Sequence, residues 1–294
     1  MGAHGTRLSA VLPPVAGVRE TADVADLGYD PRFLDIDLAP PQVPAARPGE
    51  DPALATPLDY VHFTVRMHPE RRLAWWVAWN IDGLRLFPSD SISRSGQRFR
   101  LDPRIPADAQ TGEEVYADND LDRGHIARRS DLLWGTLEEA KQANSDSFHF
   151  TNITPQHQDF NQSGRGGVWG LLENAVLELE GLEDRRLTLF GGPVLAPDDP
   201  PYRGVQLPVE HWKVVVYRLD SQLRAKAFVL TQDLDGLEGA VPDFLDDFDT
   251  WLVPLDVLEE RTGLTFPSLR EGVEPDELRP AGPVLVTDAE QVAW

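Results

Sequence analysis

The chain has 294 residues, 41% of them hydrophobic and 26% charged, which is long enough to bury a substantial core and too apolar for a disordered chain. Its 27 Lys+Arg against 49 Asp+Glu give a formal net charge of −22, which taken alone argues against a polyanionic partner. There is no cysteine, so disulfides, thiolate catalysis, iron–sulfur clusters and cysteine-ligated zinc are excluded.

Residues 1–57 read as a proline-rich extension or strap. Pro13, Pro14, Pro31, Pro40, Pro41, Pro44, Pro48, Pro52 and Pro57 interrupt it, leaving only a short helix around Val24–Leu27. Arg7 is followed by too few apolar residues before Pro13 for a signal peptide. No apolar run approaches the roughly 18–20 residues of a membrane span, so no membrane partner is expected. The default location is cytoplasmic, with export by a route not visible in the sequence left open.

The core begins near Tyr60. Tyr60–Met67 (YVHFTVRM) and Leu73–Asn80 (LAWWVAWN) read as strands, joined through the turn chemistry of His68-Pro69-Glu70-Arg71-Arg72. Thr136–Ala143 is a helix candidate. Val168–Glu180 is a stronger one, with Val168, Leu172, Ala175, Val176 and Leu179 at helical spacing. Leu187–Phe190 reads as a buried strand running into Gly191-Gly192-Pro193. Trp212–Arg218 and Leu223–Leu230 form a hairpin across Asp220-Ser221, and Val257–Arg261 is a short helix closed by Gly263. The class is α+β, with antiparallel strands dominating. Residues 58–267 form the core domain and 268–294 an acidic tail.

Charge is spread unevenly. From Gln232 to Trp294 there are 16 acidic residues and 3 Arg, a net of −13; from Val61 to Arg104 there are 8 Arg against 4 acidic residues, a net of +4. The objection to a polyanionic substrate therefore weakens.

Two polar clusters could do chemistry. Tyr116–Leu133 (YADNDLDRGHIARRSDLL) sets Asp122, Arg123, Gly124 and His125 in a row, followed by Arg128 and Arg129. Phe150–Ser163 (FTNITPQHQDFNQS) holds Asn152, Gln156, His157, Asn161 and Gln162, then leads through Gly164–Gly167 into the helix bearing Glu173. So many amides and imidazoles between apolar elements cost packing energy unless they are hydrogen-bonded or bind something. The combination suits phosphodiester hydrolysis. A neutral His takes a proton from water, Arg clamps a phosphate, and a hard divalent cation accepts an amide oxygen and waters.

DRGH at Asp122–His125, TNITPQ at Thr151–Gln156, FNQ at Phe160–Gln162 and WGLLE at Trp169–Glu173 together resemble the DNA/RNA non-specific endonucleases. The similarity runs from about Tyr60 to Pro267 and takes in RFRLDPRIP at Arg98–Pro106 and EHWKVVVY at Glu210–Tyr217. It implies a ββα-metal core within a mostly antiparallel sheet flanked by helices. It further implies His125 as general base, Asn161 as direct protein ligand of one Mg²⁺ or Mn²⁺, and Glu173 orienting the metal's waters. Arg123 would contact phosphate, with Asp122 and Asn152 in support. Arg98, with Arg100 as rival, would assist substrate binding, and Arg165 in the glycine loop could add a phosphate contact. One departure stands out: the stretch from Asn161 to Glu173 is longer than the family's usual spacing.

The plainer readings stay beside these. Asn161 could be a helix N-cap and Glu173 a carboxylate complementing a helix dipole. Arg128 and Arg129 read as structural or rim charges. His149, His157 and His211 carry no functional reading. The eight Trp read as core aromatics, with Trp134 or Trp169 able to stack a base. The implied activity is metal-dependent cleavage of DNA and RNA. The alternative is a nucleic-acid-binding or regulatory module that keeps the fold with weak or no turnover. Some relatives are homodimers, and a nuclease without an evident export signal needs an inhibitor protein, another secretion route or tight control.

Overall fold

The computed structural model describes residues 27–45, 51–157, 182–232, 234, 250–274, 278, 282–286 and 292. The strands are β1 (Leu58–Tyr60), β2 (Phe63–Met67), β3 (Ala74–Asp82), β4 (Leu121–His125), β5 (Ile153–His157), β6 (Leu182–Pro193), β7 (Pro201–Tyr202), β8 (Val205–Gln206), β9 (Glu210–Leu219), β10 (Gln222–Thr231), β11 (Thr250–Val253) and β12 (Val284–Leu285). The helices are α1 (Pro52–Ala55), α2 (Leu137–Asp146), α3 (Leu255–Thr262) and α4 (Pro267–Gly272). An antiparallel sheet runs in the order β1-β2-β3-β6-β9-β10-β11-β12, and β4 pairs separately with β5. This is the α+β arrangement expected. Among the described residues no helix is long and apolar enough to cross a membrane.

Both faces of the sheet are covered, which is why LAWWVAWN and WKVVVY read as continuous apolar runs. Val77, Trp79, Ile81, Val215 and Tyr217 face one way, packing with Ile126, Ala127, Leu132 and Ala143. Trp76, Ala78, Trp212, Val214 and Val216 face the other way, packing with Tyr29, Leu34 and Leu38 from the N-terminal segment and with Leu258, Phe266 and Leu269.

The hairpin predicted across Asp220-Ser221 forms, with φ of 52° and 63° at those two residues, the left-handed pair of a two-residue turn matched to strand twist. The strand expected over Tyr60–Met67 is instead two strands, because the chain turns back at Val61-His62 so that Tyr60 opposes Phe63. His62 takes φ 72° there, held by its Nδ1 contact to the Leu132 carbonyl at 2.9 Å and by stacking on Trp134 at 3.5 Å.

Helix α2 starts with a capping box. Glu139 N–H donates to Thr136 Oγ1 at 3.2 Å, and Thr136 N–H donates to Glu139 Oε2 at 2.6 Å. It runs past the predicted end at Ala143 because its last turn is buried through polar contacts. Asn144 Oδ1 accepts from Arg129 at 2.6 Å, and Asp146 Oδ2 accepts from Val61 N–H at 3.2 Å. Gly263 closes α3 with φ 67°. In the tail, Val284–Leu285 adds an edge strand to β11. The predicted helix over Val168–Glu180 lies outside the described residues, as does that around Val24–Leu27 apart from Leu27.

The β4–β5 ribbon sits over the first of these faces and is fastened to it by polar side chains. Thr154 Oγ1 lies 3.2 Å from His211 Nε2. Gln232, fully buried, accepts from His157 N–H at 2.8 Å and donates to the Pro155 and Pro208 carbonyls at 3.2 and 2.6 Å. Beside them the buried Lys213 ammonium lies 5.5 Å from the Trp79 ring centre. Burial lowers its pKa and raises that of Asp131, while the attraction between the two opposes both shifts.

Candidate active site

The ribbon gives the DRGH residues their geometry. In register, Asp122 opposes Gln156, Gly124 opposes Thr154 and His125 opposes Ile153. Side chains alternate along a strand, so Asp122 and Gly124 share one side of β4 while Arg123 and His125 share the other. Gly124 has a packing reason: a Cβ there would stand 2.0 Å from Gln156 Oε1. Gln156 is fully buried, and neither atom of its amide has a hydrogen-bond partner among the described residues.

The His125 ring is half-buried between aromatics, 5.7 Å from Phe99 and 5.5 Å from Phe148, meeting the latter edge-on at 89°. Its Nε2 is buried and finds no hydrogen-bond partner among the described residues. This dry surrounding, reinforced by the charges of Arg94 and Arg129, holds the imidazole pKa down to about 3. At neutral pH the ring is uncharged and able to accept a proton.

Asn152 holds the turn that follows His125. Its Oδ1 accepts from Ala127 N–H at 2.9 Å, and its Nδ2 donates to the Ala127 and Ser147 carbonyls at 3.0 and 3.3 Å. The backbone adds Ile126 N–H to the Asn152 carbonyl at 2.9 Å. With both ends of its amide engaged this way, Asn152 supports the His125 turn.

The arginines differ sharply. Arg123 is gripped by Glu113, with Nε donating to Oε2 at 3.0 Å and Nη2 to Oε1, and its guanidinium lies 5.5 Å from the rings of both Phe99 and Tyr116. Arg100 donates to His149 Nε2 at 3.1 Å and Ser145 Oγ at 3.2 Å, tying the Arg98–Pro106 segment to the end of α2. Arg98 is exposed and makes no polar contact among the described residues. Arg129 is buried, donating to Asn144 Oδ1 and to the carbonyls of Ser89 and Ile92. The structure thus brings together His125, Arg123 and Asn152, with Asp122 on the ribbon's opposite side. Asn161, Glu173 and Arg165 lie outside the described residues.

Residues absent from the sequence reading are Phe99, Phe148, Glu113 and Arg94. The aromatic pair left a trace in the sequence, since Phe99 sits inside RFRLDP and Phe148 just before the second polar cluster. Glu113 and Arg94 left none.

Among the described residues no three His, Asp or Glu side chains gather as a metal cage. The chain's available donors are amide, carboxylate and imidazole, with no thiolate. That donor chemistry fits a hard divalent cation that keeps most of its waters.

Residues 48–271 match the family model described as DNA/RNA non-specific endonuclease. The chain belongs to that family. An uncharacterized protein y4fB of Sinorhizobium fredii is 34% identical over 261 residues, covering 81% of this chain and 38% of that protein. The mitochondrial nuclease EXOG of Xenopus laevis is 26% identical over 223 residues, covering 70% of this chain and 57% of its own. Nuclease C1 of Cunninghamella echinulata is 24% identical over 222 residues, covering 71% of this chain and 81% of its own. The chain therefore spans 38% and 57% of the lengths of the first two relatives. The fold resembles EndoG in a crystal structure of the EndoG/EndoGI complex, with TM-score 0.58 and 21% identity, covering 74% of this chain and 88% of that one.

Proposed function

We propose that the chain is a metal-dependent endonuclease that hydrolyses phosphodiester bonds in DNA and in RNA. The observation that carries the reading is His125, uncharged, with no hydrogen-bond partner at Nε2 among the described residues, and held between Phe99 and Phe148 on the DRGH ribbon beside arginine charge.

His125 accepts a proton from water, whose oxygen attacks phosphorus as the 3′-oxygen departs. The same surroundings that keep the ring neutral also make it a weak base in the free protein. An approaching phosphate anion offsets the Arg94 and Arg129 charges and stabilises the imidazolium, raising basicity when substrate is present. Asn152 keeps the turn after His125 in place, and Arg123 offers charge to the phosphate. Asn161 would hold one Mg²⁺ or Mn²⁺, with Glu173 orienting its waters. When bound, such an ion stabilises the charged phosphorane and the leaving oxygen.

The test is digestion of matched plasmid DNA and RNA with Mg²⁺, Mn²⁺ or EDTA. Metal-dependent cleavage that is lost in His125→Ala with the fold intact is the expected result; near wild-type activity in that variant would sink the assignment. One observation favours the second reading, a binding module with weak turnover. Glu113 already occupies the DRGH arginine. Binding without cleavage in the same assay would select it. The EndoG relative was crystallised with EndoGI in a study of EndoG inhibition, and an inhibitor protein is proposed here as one means of restraint.

A further inference from the structure

The carboxylate that grips the DRGH arginine adds little to the fold. Glu113 lies on the short turn Glu113–Val115, and its two oxygens take Nε and Nη2 of Arg123. The side chains are 59% and 29% exposed, and an ion pair this open to water contributes little to stability. Its position is nevertheless built. Thr111 N–H and Oγ1 donate to the Arg72 carbonyl at 2.9 and 3.0 Å. Glu114 Oε1 accepts from Arg72 Nη2 at 2.8 Å and from Gly112 N–H at 3.2 Å. Asn119 Nδ2 donates to the Val115 carbonyl at 2.6 Å, and Arg203 donates to those of Glu114 and Ala117. Bonds on both sides of Glu113 thus aim its carboxylate at Arg123.

The pairing occupies one edge of the guanidinium and leaves another. Arg123 Nη1 makes no hydrogen bond among the described residues, and the Phe99 and Tyr116 rings, each 5.5 Å away, limit movement of the plane. A phosphate on the Nη1 side shares one guanidinium with the carboxylate, well inside the Debye length of about 8–10 Å. The carboxylate therefore repels it in proportion to its charge. An internal diester carries a single negative charge. Hydrolysis adds the oxygen of water to phosphorus and breaks the bond to the 3′-oxygen, which leaves with a proton as a 3′-hydroxyl. The other product is a 5′-phosphate monoester, whose charge is about −1.5 to −2 at pH 7. Coulomb energy is linear in charge, so a penalty of about threefold on the diester becomes about tenfold on the dianion.

We propose that Glu113 is a specificity-determining residue: it lets Arg123 hold an internal phosphodiester but turns away the more highly charged phosphate monoester. The site thereby passes over 5′-phosphorylated ends and sheds its own product once the 3′-oxygen has left. The proposal rests on the nuclease reading above and deepens it, naming the substrate as phosphates inside a strand. Removing the carboxylate charge should help a monoester more than a diester, a signature that the loss of a merely structural contact lacks.

The test uses the full chain as wild type, Glu113→Gln and Glu113→Asp, the last keeping the charge. Unfolding midpoints should agree, since the exposed pair contributes little to stability. Two 3′-labelled tetranucleotides of one sequence, ending in a 5′-phosphate or in its methyl ester, are bound in EDTA at low salt and followed by fluorescence anisotropy. At about pH 8, Glu113→Gln is expected to shift the preference toward the 5′-phosphate by about threefold, with Glu113→Asp near wild type. At about pH 5.5 the monoester holds its second proton and the shift should fall away. With Mg²⁺ and plasmid, inhibition by the 5′-phosphate probe should strengthen about tenfold in Glu113→Gln. The binding pattern supports the proposal even if wild type fails to cleave, a failure that would count against the nuclease reading alone. A preference that Glu113→Gln leaves unchanged at the higher pH, including one absent because neither probe binds, overturns the proposal and leaves that reading standing. So does a shift of equal size at both pH values, or one that Glu113→Asp shares.

Discussion

Gly124→Ala is a substitution of one methyl group whose cost can be traced atom by atom. The new Cβ would stand 2.0, 2.3 and 2.6 Å from Oε1, Cδ and Cγ of Gln156. Gly124 is not among the residues with positive φ, so alanine meets no backbone strain and the effect is steric. Gln156 cannot swing into solvent because it is fully buried beneath the ribbon. Overpacking of this kind costs about 1–3 kcal/mol. Gln156→Ala alone should cost less than an ordinary buried truncation. It leaves a cavity, but it also removes an amide with no hydrogen-bond partner among the described residues, whose burial carries a penalty of about 1–3 kcal/mol. In the double variant the obstacle is gone, so the two changes should be less than additive by about 1–2 kcal/mol. Urea unfolding of the four proteins measures this coupling, and plasmid nicking should follow the same order, since the clash lies one residue from His125. Strict additivity, or Gly124→Ala as stable as wild type, would refute the packing argument.

Three further outcomes follow from the same geometry. Asn152→Ala removes three side-chain hydrogen bonds to the backbone of Ala127 and Ser147, and should cost about 2–4 kcal/mol and most of kcat; an unfolding midpoint within error of wild type would contradict it. Glu113→Gln neutralises the carboxylate on Arg123 and should lower KM for DNA severalfold at low salt, an effect fading as salt rises; an unchanged or raised KM would show that Glu113 does not compete with phosphate. Burial holds His125 and His211 down to about 3 and His62 to about 4, against 6.5 for an ordinary imidazole. The unfolded chain therefore takes up protons that the native one refuses. Stability should be full above pH 6.5 and fall as pH drops toward 3–4, and a urea midpoint unchanged between pH 7 and 4 would contradict this.

The parts of the fold legible in the sequence are those where local chemistry and tertiary packing agree. β9–β10 announces itself through WKVVVY, the run to Leu230 and a two-residue polar turn, and β2–β3 through its aromatic and β-branched residues. The ribbon does not. Leu121–His125 and Ile153–His157 contain little that favours a strand, and they pair because Gln232 and His211, distant in sequence, hold β5 against the sheet. Likewise the motifs pick out His125 and Asn152, but spacing cannot tell which of several nearby arginines lies against the aromatic ring beside His125. Arg94, Arg98 and Arg100 look alike in the sequence; one lies over Phe148, one faces solvent and one is tied to α2. Trp134, a candidate for base stacking, instead packs between His62 and Phe33 and donates to the Asn80 carbonyl at 2.8 Å.

The polar fastening of the ribbon has a consequence for how errors in assembly are resolved. A two-stranded ribbon alone is marginally stable, and greasy surfaces can slide over one another by a residue at modest cost. A slide of one residue in β4 would turn His125 toward the sheet and Gly124 outward. It would also put the imidazole where Gln156 packs against Gly124. Directional bonds from Gln232 and His211 tolerate no such slip in β5, because an amide shifted by one residue meets the wrong backbone group. The bonds under the ribbon thus fix the register of β5, and the tight fit of Gln156 against Gly124 passes that register to β4, which decides the side on which the imidazole emerges.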